Sequence, residues 1–187
     1  AAARFLDILD EHAFGRFRAL LEAVTLSPAM GVYLSMRGSQ KADATGRQPD
    51  ENYAREVMQL FTIGLQLLNP DGTLRLVNGA PVDAYEADDV SGLARVFTGW
   101  DYVSGAGIDD TTPVRAITAM APVASRHETG AKSFLGVTIP AGTSGPASLA
   151  IALDTLAAHP NVGPFISRQL IQRLVCANPS PAYVGRV

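Results

Sequence analysis

Phe5, Leu6, Ile8 and Leu9, then Phe14, Phe17, Leu20, Leu21 and Val24, recur three and four residues apart, the spacing that places apolar side chains along one face of a helix. The break at His12 to Gly15 predicts two helices, or one kinked helix, at the start of the chain. Ser27-Pro28 combines a capping residue with proline at the first helical position, opening a short helix through Met30, Val32, Tyr33 and Leu34 that Gly38 ends. Residues 37–49 carry almost no apolar side chains and predict a solvated, mobile loop. Asp50 is positioned to cap the helix ENYAREVMQLFTIG, with Tyr53, Val57, Leu60 and Phe61 as its apolar stripe and Gly64 at its end. Asn69 to Gly72 reads as a turn, and Asn78-Gly79 joins two short segments near 73–84 into a small β-hairpin, where any strand content is expected. Helical spacing returns from Glu86 to Phe97, with Gly99 as the stop. It returns again from Leu149 to Ala157, and from a cap at Asn161 through Val162, Phe165, Ile166, Leu170, Leu174 and Val175, all expected to face a core. Between the last two groups, residues 103–147 are rich in Gly, Pro, Ser and Thr and read as a long loop excursion over the helices.

The fold class that follows is mainly α, with antiparallel helix pairs in an irregular orthogonal bundle, the hairpin near 73–84 and the excursion 103–147. No fixed-period repeat and no shift in composition divides residues 1–187, so one helical domain is expected. Ser180-Pro181 announces a further helix with only six residues after it, which suggests part of a longer parent chain.

Composition narrows the chemistry. Of 187 residues 47% are hydrophobic and 18% charged, a balance suited to a packed domain. The net charge of −3 supplies no basic field for a nucleic-acid partner. The lone Cys176 cannot make an internal disulfide, and the three histidines lack ligand spacing, so neither a metal nor a cofactor is expected. There is no signal peptide in this chain, and no stretch approaches the roughly 18 continuous apolar residues of a membrane span.

On the DENYAREVMQ helix Glu51, Arg55 and Gln59 share one row, with Asn52 and Glu56 in the next. This polar face is either an exposed ion pair or a partly buried network that fastens the helix to others, with Arg55 and Arg95 each reaching a carboxylate such as Glu51, Glu56 or Asp89. His127 is the best single candidate for acid/base work, with Arg126, Glu128 and Lys132 beside it; the alternative is a histidine that anchors its loop near Trp100. Trp100 is either a core ring or a stacking platform. Asn69 and Asp71 lack the later ligands of a calcium loop, and neither a GxxxxGK[ST] phosphate loop nor a GxSxG elbow occurs.

Asn52-Tyr53-Ala54-Arg55-Glu56, with Leu60, Thr62 and Gly64, resembles the NENYARELxELxTLG signature of a bacterial family catalogued as domain of unknown function 1800. Asp89-Val90, Ala94-Arg95 and Phe97 to Trp100 are similar to its DVxxxARxxTGW segment. His127, Gly130, Lys132 and Phe134 to Gly136 resemble HDxGxKxFLG, and His159 to Val175 resembles HPxxxxFIxRKLIRRFV. Val24 to Leu34 resembles its VTLHPAMGxYL segment. The chain departs from the family pattern at Ser27, Asp50, Gln59, Glu128 and Gln169, which weakens any chemistry that needs the usual side chains there. The resemblance implies a helical fold and, since members commonly have export signals, a periplasmic or extracellular location; it implies no reaction.

Two functions are compatible with these observations. The first is an exported helical scaffold or interaction protein, its partner another protein or the remainder of the parent chain. The second is an extracellular or periplasmic hydrolase acting on a polymer. Its polar cleft would hold His127 as weak catalytic candidate with Glu56 and Arg55, and Glu51, Asn52, Asp89, Arg95, Trp100 and Lys132 as the surrounding network. The residue pattern is compatible with an enzyme and with a scaffold alike.

Overall fold

The computed structural model describes residues 2–105 and 112–187, and within them the protein is mainly α-helical with small two-stranded antiparallel sheets. The first helices are α1 (Ala2–Glu11) and α2 (Phe17–Thr25), separated where the apolar spacing breaks, followed by α3 (Pro28–Tyr33). Pro28 opens α3 as expected, yet the Ser27 side chain makes no cap hydrogen bond.

The polar segment after α3 is tied to the body by its backbone. Gly38 N–H donates to the Trp100 carbonyl at 2.8 Å, Gly99 N–H to the Ser39 carbonyl at 2.9 Å and Lys41 N–H to the Arg126 carbonyl at 2.9 Å.

The NYARE helix, α4 (Asn52–Glu56), runs directly into a π-helical turn, Val57–Thr62. Ile63 N–H donates to the Met58 carbonyl at 2.9 Å and the Thr62 hydroxyl to the Val57 carbonyl at 2.6 Å, both five residues back. The wider turn rotates side chains away from the 3.6-residue period. Val57 is buried as its spacing predicts, but Met58, off the predicted stripe, is buried too, while Leu60, expected on it, faces solvent. Gly64 ends the turn at φ +74°, where a Cβ would lie 2.7 Å from the Phe165 ring. Asp50 does serve the helix start, accepting the Asn52 N–H at 2.8 Å.

Asn78 and Gly79, at φ 53° and 81°, join β1 (Leu76–Val77) to β2 (Ala80–Pro81) as the sequence predicts. After α5 (Ala87–Val96) come strands that it does not predict. β3 (Trp100–Asp101) pairs with β4 (Ala121–Pro122), and β5 (Lys132–Phe134) with β6 (Val137–Ile139). Strand content is therefore not confined to 73–84, and the 103–147 excursion is partly folded; of that excursion, residues 106–111 lie outside the described residues.

α6 (Gly145–Ala157), α7 (Val162–Leu174) and α8 (Pro181–Val184) complete the chain. Asn161 precedes α7 without capping it. Its buried amide instead donates to the Ile63 and Gln66 carbonyls at 2.9 and 2.8 Å and accepts the Leu68 N–H at 3.0 Å, so that it satisfies three backbone groups of the turn after the π-helix.

The core joins Tyr53, Val57 and Met58 to Val90, Leu93 and Phe97 of α5, Leu149, Leu153 and Leu156 of α6, and Phe134 and Ile139 of the hairpin. Tyr53 stands edge-on to Phe97, ring centroids 4.9 Å apart. Its hydroxyl bonds Thr25 at 2.6 Å while Thr25 donates to the Leu21 carbonyl, a chain that links α4 to α2. Burial pushes the Tyr53 phenol well above its ordinary value, so it stays a neutral donor. α7 is less buried than its spacing predicts: Val162 and Ile171 reach the core, whereas Leu170, Leu174 and Val175 are exposed. Ile166 and Leu170 of its apolar stripe border an open groove.

Candidate functional site

The sequence candidates separate into an exposed group and a buried one. On α4 the Arg55 guanidinium donates to Glu51 at 3.0 Å, with the two side chains 48% and 44% exposed. Asn52 is exposed and Glu56 half-buried. Arg55 reaches no other helix, so the fastening network is not formed here. An exposed i,i+4 pair of this kind contributes about 0.3–0.5 kcal/mol.

The buried group is built where α5 crosses the β5–β6 hairpin. Gly92 permits the crossing, because a Cβ there would stand 1.8 Å from the Ser133 carbonyl oxygen. Asp89, in the first turn of α5, accepts the Glu86 N–H at 2.8 Å with one oxygen and the Leu135 N–H at 2.6 Å with the other. That second bond holds the hairpin turn, in which Leu135 adopts the left-handed conformation at φ 47°, uncommon for a residue with a side chain. Asp89 is therefore occupied with backbone groups, and Arg95 pairs instead with Glu128 at 3.8 Å.

His127 is 3% exposed. Its Nδ1 lies 2.9 Å from the Thr98 carbonyl oxygen, which can only accept, so Nδ1 carries the proton and Nε2 the lone pair. The Thr98 hydroxyl donates to the Arg95 carbonyl at 2.8 Å and accepts the Glu128 N–H at 2.9 Å, tying the end of α5 to the same loop. Gly99, at φ +79°, is pressed against the His127 backbone, where a Cβ would come within 2.8 Å of its nitrogen. Burial lowers the His127 pKa from its ordinary value, outweighing the Thr98 carbonyl bond, and the nearby Lys132 charge lowers it further. The imidazole is thus a neutral anchor on one side; Nε2 is buried with no hydrogen-bond partner among the described residues.

Lys132 is fully buried. Its ammonium donates to the Ser148 hydroxyl of α6 at 3.4 Å, and Ser148 in turn reaches the Thr143 carbonyl at 3.5 Å. Burial lowers the Lys132 pKa, opposed by the Glu128 carboxylate and reinforced by Arg95. Gly130 leaves room for the Arg95–Glu128 pair, since a Cβ there would meet the Arg95 guanidinium at 2.8 Å. Trp100 is a core ring at 4% exposure, its indole N–H without a partner among the described residues.

His127, Glu128, Lys132 and Arg95 are thus brought together, with Asp89 at the hairpin turn. Glu51, Asn52, Arg55 and Glu56 belong to the separate α4 surface. Thr98 and Ser148 complete the buried group; Thr98 lies within the Phe97 to Trp100 segment that the sequence marks, though without a role of its own, whereas Ser148 is an isolated hydroxyl residue with no spacing signal. Among the described residues no three His, Cys, Asp or Glu side chains come together so as to hold a metal ion.

Wide surface depressions are lined by other residues. One of about 370 Å³ runs between α1, α2, the π-helical turn and α7, bounded by Phe5, Phe17, Leu60, Leu170 and Arg173. A neighbour of about 420 Å³ lies between the π-helical turn, the segment after it and α7. His127, Lys132 and Ser148 line neither.

A family model described as protein of unknown function (DUF1800) matches residues 2–187. No curated protein and no solved structure matches the chain.

Proposed function

The chain belongs to the DUF1800 family, and from that premise we propose that it is an exported helical scaffold or interaction protein, its helix pairs arranged as an irregular orthogonal bundle. One observation carries this reading: each ionisable side chain of the buried group is used to hold the fold. Asp89 orders a turn, Arg95 and Glu128 pair across the loop, His127 anchors to Thr98 and Lys132 reaches α6. Open apolar surface, by contrast, lies along α1 and α7, which suits contact with another protein or with further segments of a parent chain.

Export to the periplasm or the medium is supported by the habit of the family; no helix among the described residues is long and apolar enough to cross a membrane. Fractionating the native bacterium with an antibody to this chain tests the location: periplasmic or medium fractions are expected, and a purely cytosolic signal overturns it.

A hydrolase reading draws on the His127 Nε2, which lies beside Lys132 and has no hydrogen-bond partner among the described residues. A polymer-hydrolysis screen comparing the wild type with His127→Gln separates the two. The scaffold reading expects no activity in either, whereas turnover abolished by His127→Gln with unchanged stability establishes the enzyme.

A further inference from the structure

The groove beside α7 differs in chemistry from the apolar depression it adjoins. Gln59 of the π-helical turn, Gln66, and Gln169 and Gln172 of α7 line it, with Arg168 among them. Among the described residues the amides of Gln59, Gln66 and Gln169 make no side-chain hydrogen bond, and Gln172 makes one at 3.4 Å to the Ala177 carbonyl. Between the amides stand the exposed side chains of Leu60, Leu65 and Leu74. Arg168 makes one long bond, 3.4 Å to the Gly72 carbonyl, and no ion pair among the described residues; no carboxylate lines the groove. Leu74 and Arg168 also border a second depression of about 440 Å³, so the two join into one furrow; the carboxylate on that second wall, Asp71, accepts the Thr73 N–H and hydroxyl at 3.0 and 2.7 Å and makes no ion pair with Arg168 among the described residues.

We infer that this furrow binds an extended peptide segment in which apolar and acidic side chains alternate. A primary amide offers a donor and an acceptor side by side, the complement of a peptide group, so a row of glutamines suits a backbone without reading its sequence. Leucines between the amides receive apolar side chains, which hydroxyl-rich sugars cannot supply. A guanidinium with no carboxylate of its own selects an acid. The volume falls within the range of ordinary ligand sites. The inference rests on the interaction-protein reading and specifies its partner.

Three fluorescein-labelled ten-residue peptides, alternating Leu with Glu, Lys or Ser, are titrated against the chain by fluorescence anisotropy, and the mixtures are followed by mass spectrometry. The Leu/Glu peptide is expected to bind tightest. Arg168→Gln, at an exposed position, should weaken it by about tenfold, the loss of one charge-assisted contact, and leave the Leu/Ser peptide within about twofold. Gln59→Leu with Gln169→Leu should weaken all three. Equal binding of the three, no binding, preference for a labelled cello-oligosaccharide, or self-association through this face that Arg168→Gln abolishes would each overturn the inference. Binding with the peptide cleaved keeps the groove and overturns the scaffold reading; absence of binding with no turnover overturns the groove alone.

Discussion

The NYARE helix and the HETGAK loop carry similar charges and occupy opposite environments. On α4 the Arg55–Glu51 pair stands in solvent and holds nothing beyond its own helix. In the loop, Lys132 and His127 are sealed beneath α6 and against α5, where each polar contact joins separate elements. Glycine accounts for the difference. Gly92, Gly99 and Gly130 let backbone and side chains approach α5 where a Cβ would collide, whereas no such approach exists around Arg55. Charge patterning identifies which residues can pair, and the absence of a side chain decides how deep the pairing lies.

The largest effect is expected from blocking the crossing of α5 and the hairpin. Gly92→Ala would set a methyl group against the Ser133 carbonyl, an immovable backbone atom, and should destabilise by more than about 3 kcal/mol or prevent folding. A urea midpoint like that of the wild type would show that α5 and the hairpin do not meet this closely.

His127→Gln removes the ring that bonds Thr98 and should cost about 1–2 kcal/mol, with the molecule still folded. Urea melts measure it, and an unchanged midpoint would mean that the ring anchors nothing.

Acid sharpens the same point. The folded His127 pKa is lowered, so the unfolded chain takes up its proton first as pH falls. Stability is then full above the ordinary histidine value of 6.5 and declines as pH drops below it toward the folded value. His159, also lowered by burial, adds to the decline. His127→Gln should flatten part of the slope in melts run from pH 7.5 to about 5. Equal slopes in variant and wild type would contradict a buried neutral imidazole.

Arg55→Ala should have the smallest effect, below about 0.5 kcal/mol, because its pair is exposed. A loss above about 2 kcal/mol would place Arg55 in a buried network after all.

Much of the helical framework is legible in the sequence. The break at His12 to Gly15, the Pro28 and Pro181 helix starts and the Asn78-Gly79 hairpin are local signals with local causes, and each appears where it is read. The β5–β6 hairpin is hidden because its turn is Leu135-Gly136, and the leucine at positive φ is held by donating its N–H to Asp89, forty-six residues away. The outward Leu60 is hidden because a π-helical turn obeys no 3.6-residue spacing. Asn161 reads as a cap and acts on the turn after the π-helix, a partner nearly a hundred residues earlier. Within the candidate site His127, Glu128 and Lys132 are visible as one motif and Thr98 as part of another, while the bonds between them and the part played by Ser148 emerge only when α5 and α6 are brought together.

The central claim, that the buried motif anchors the fold, is tested most directly at the His127 ring by nitrogen-15 NMR of the intact chain across pH. Nδ1 is expected to carry the proton in the neutral ring, with protonation at a midpoint below 6.5. A proton on Nε2, or a midpoint at or above 6.5, would contradict it.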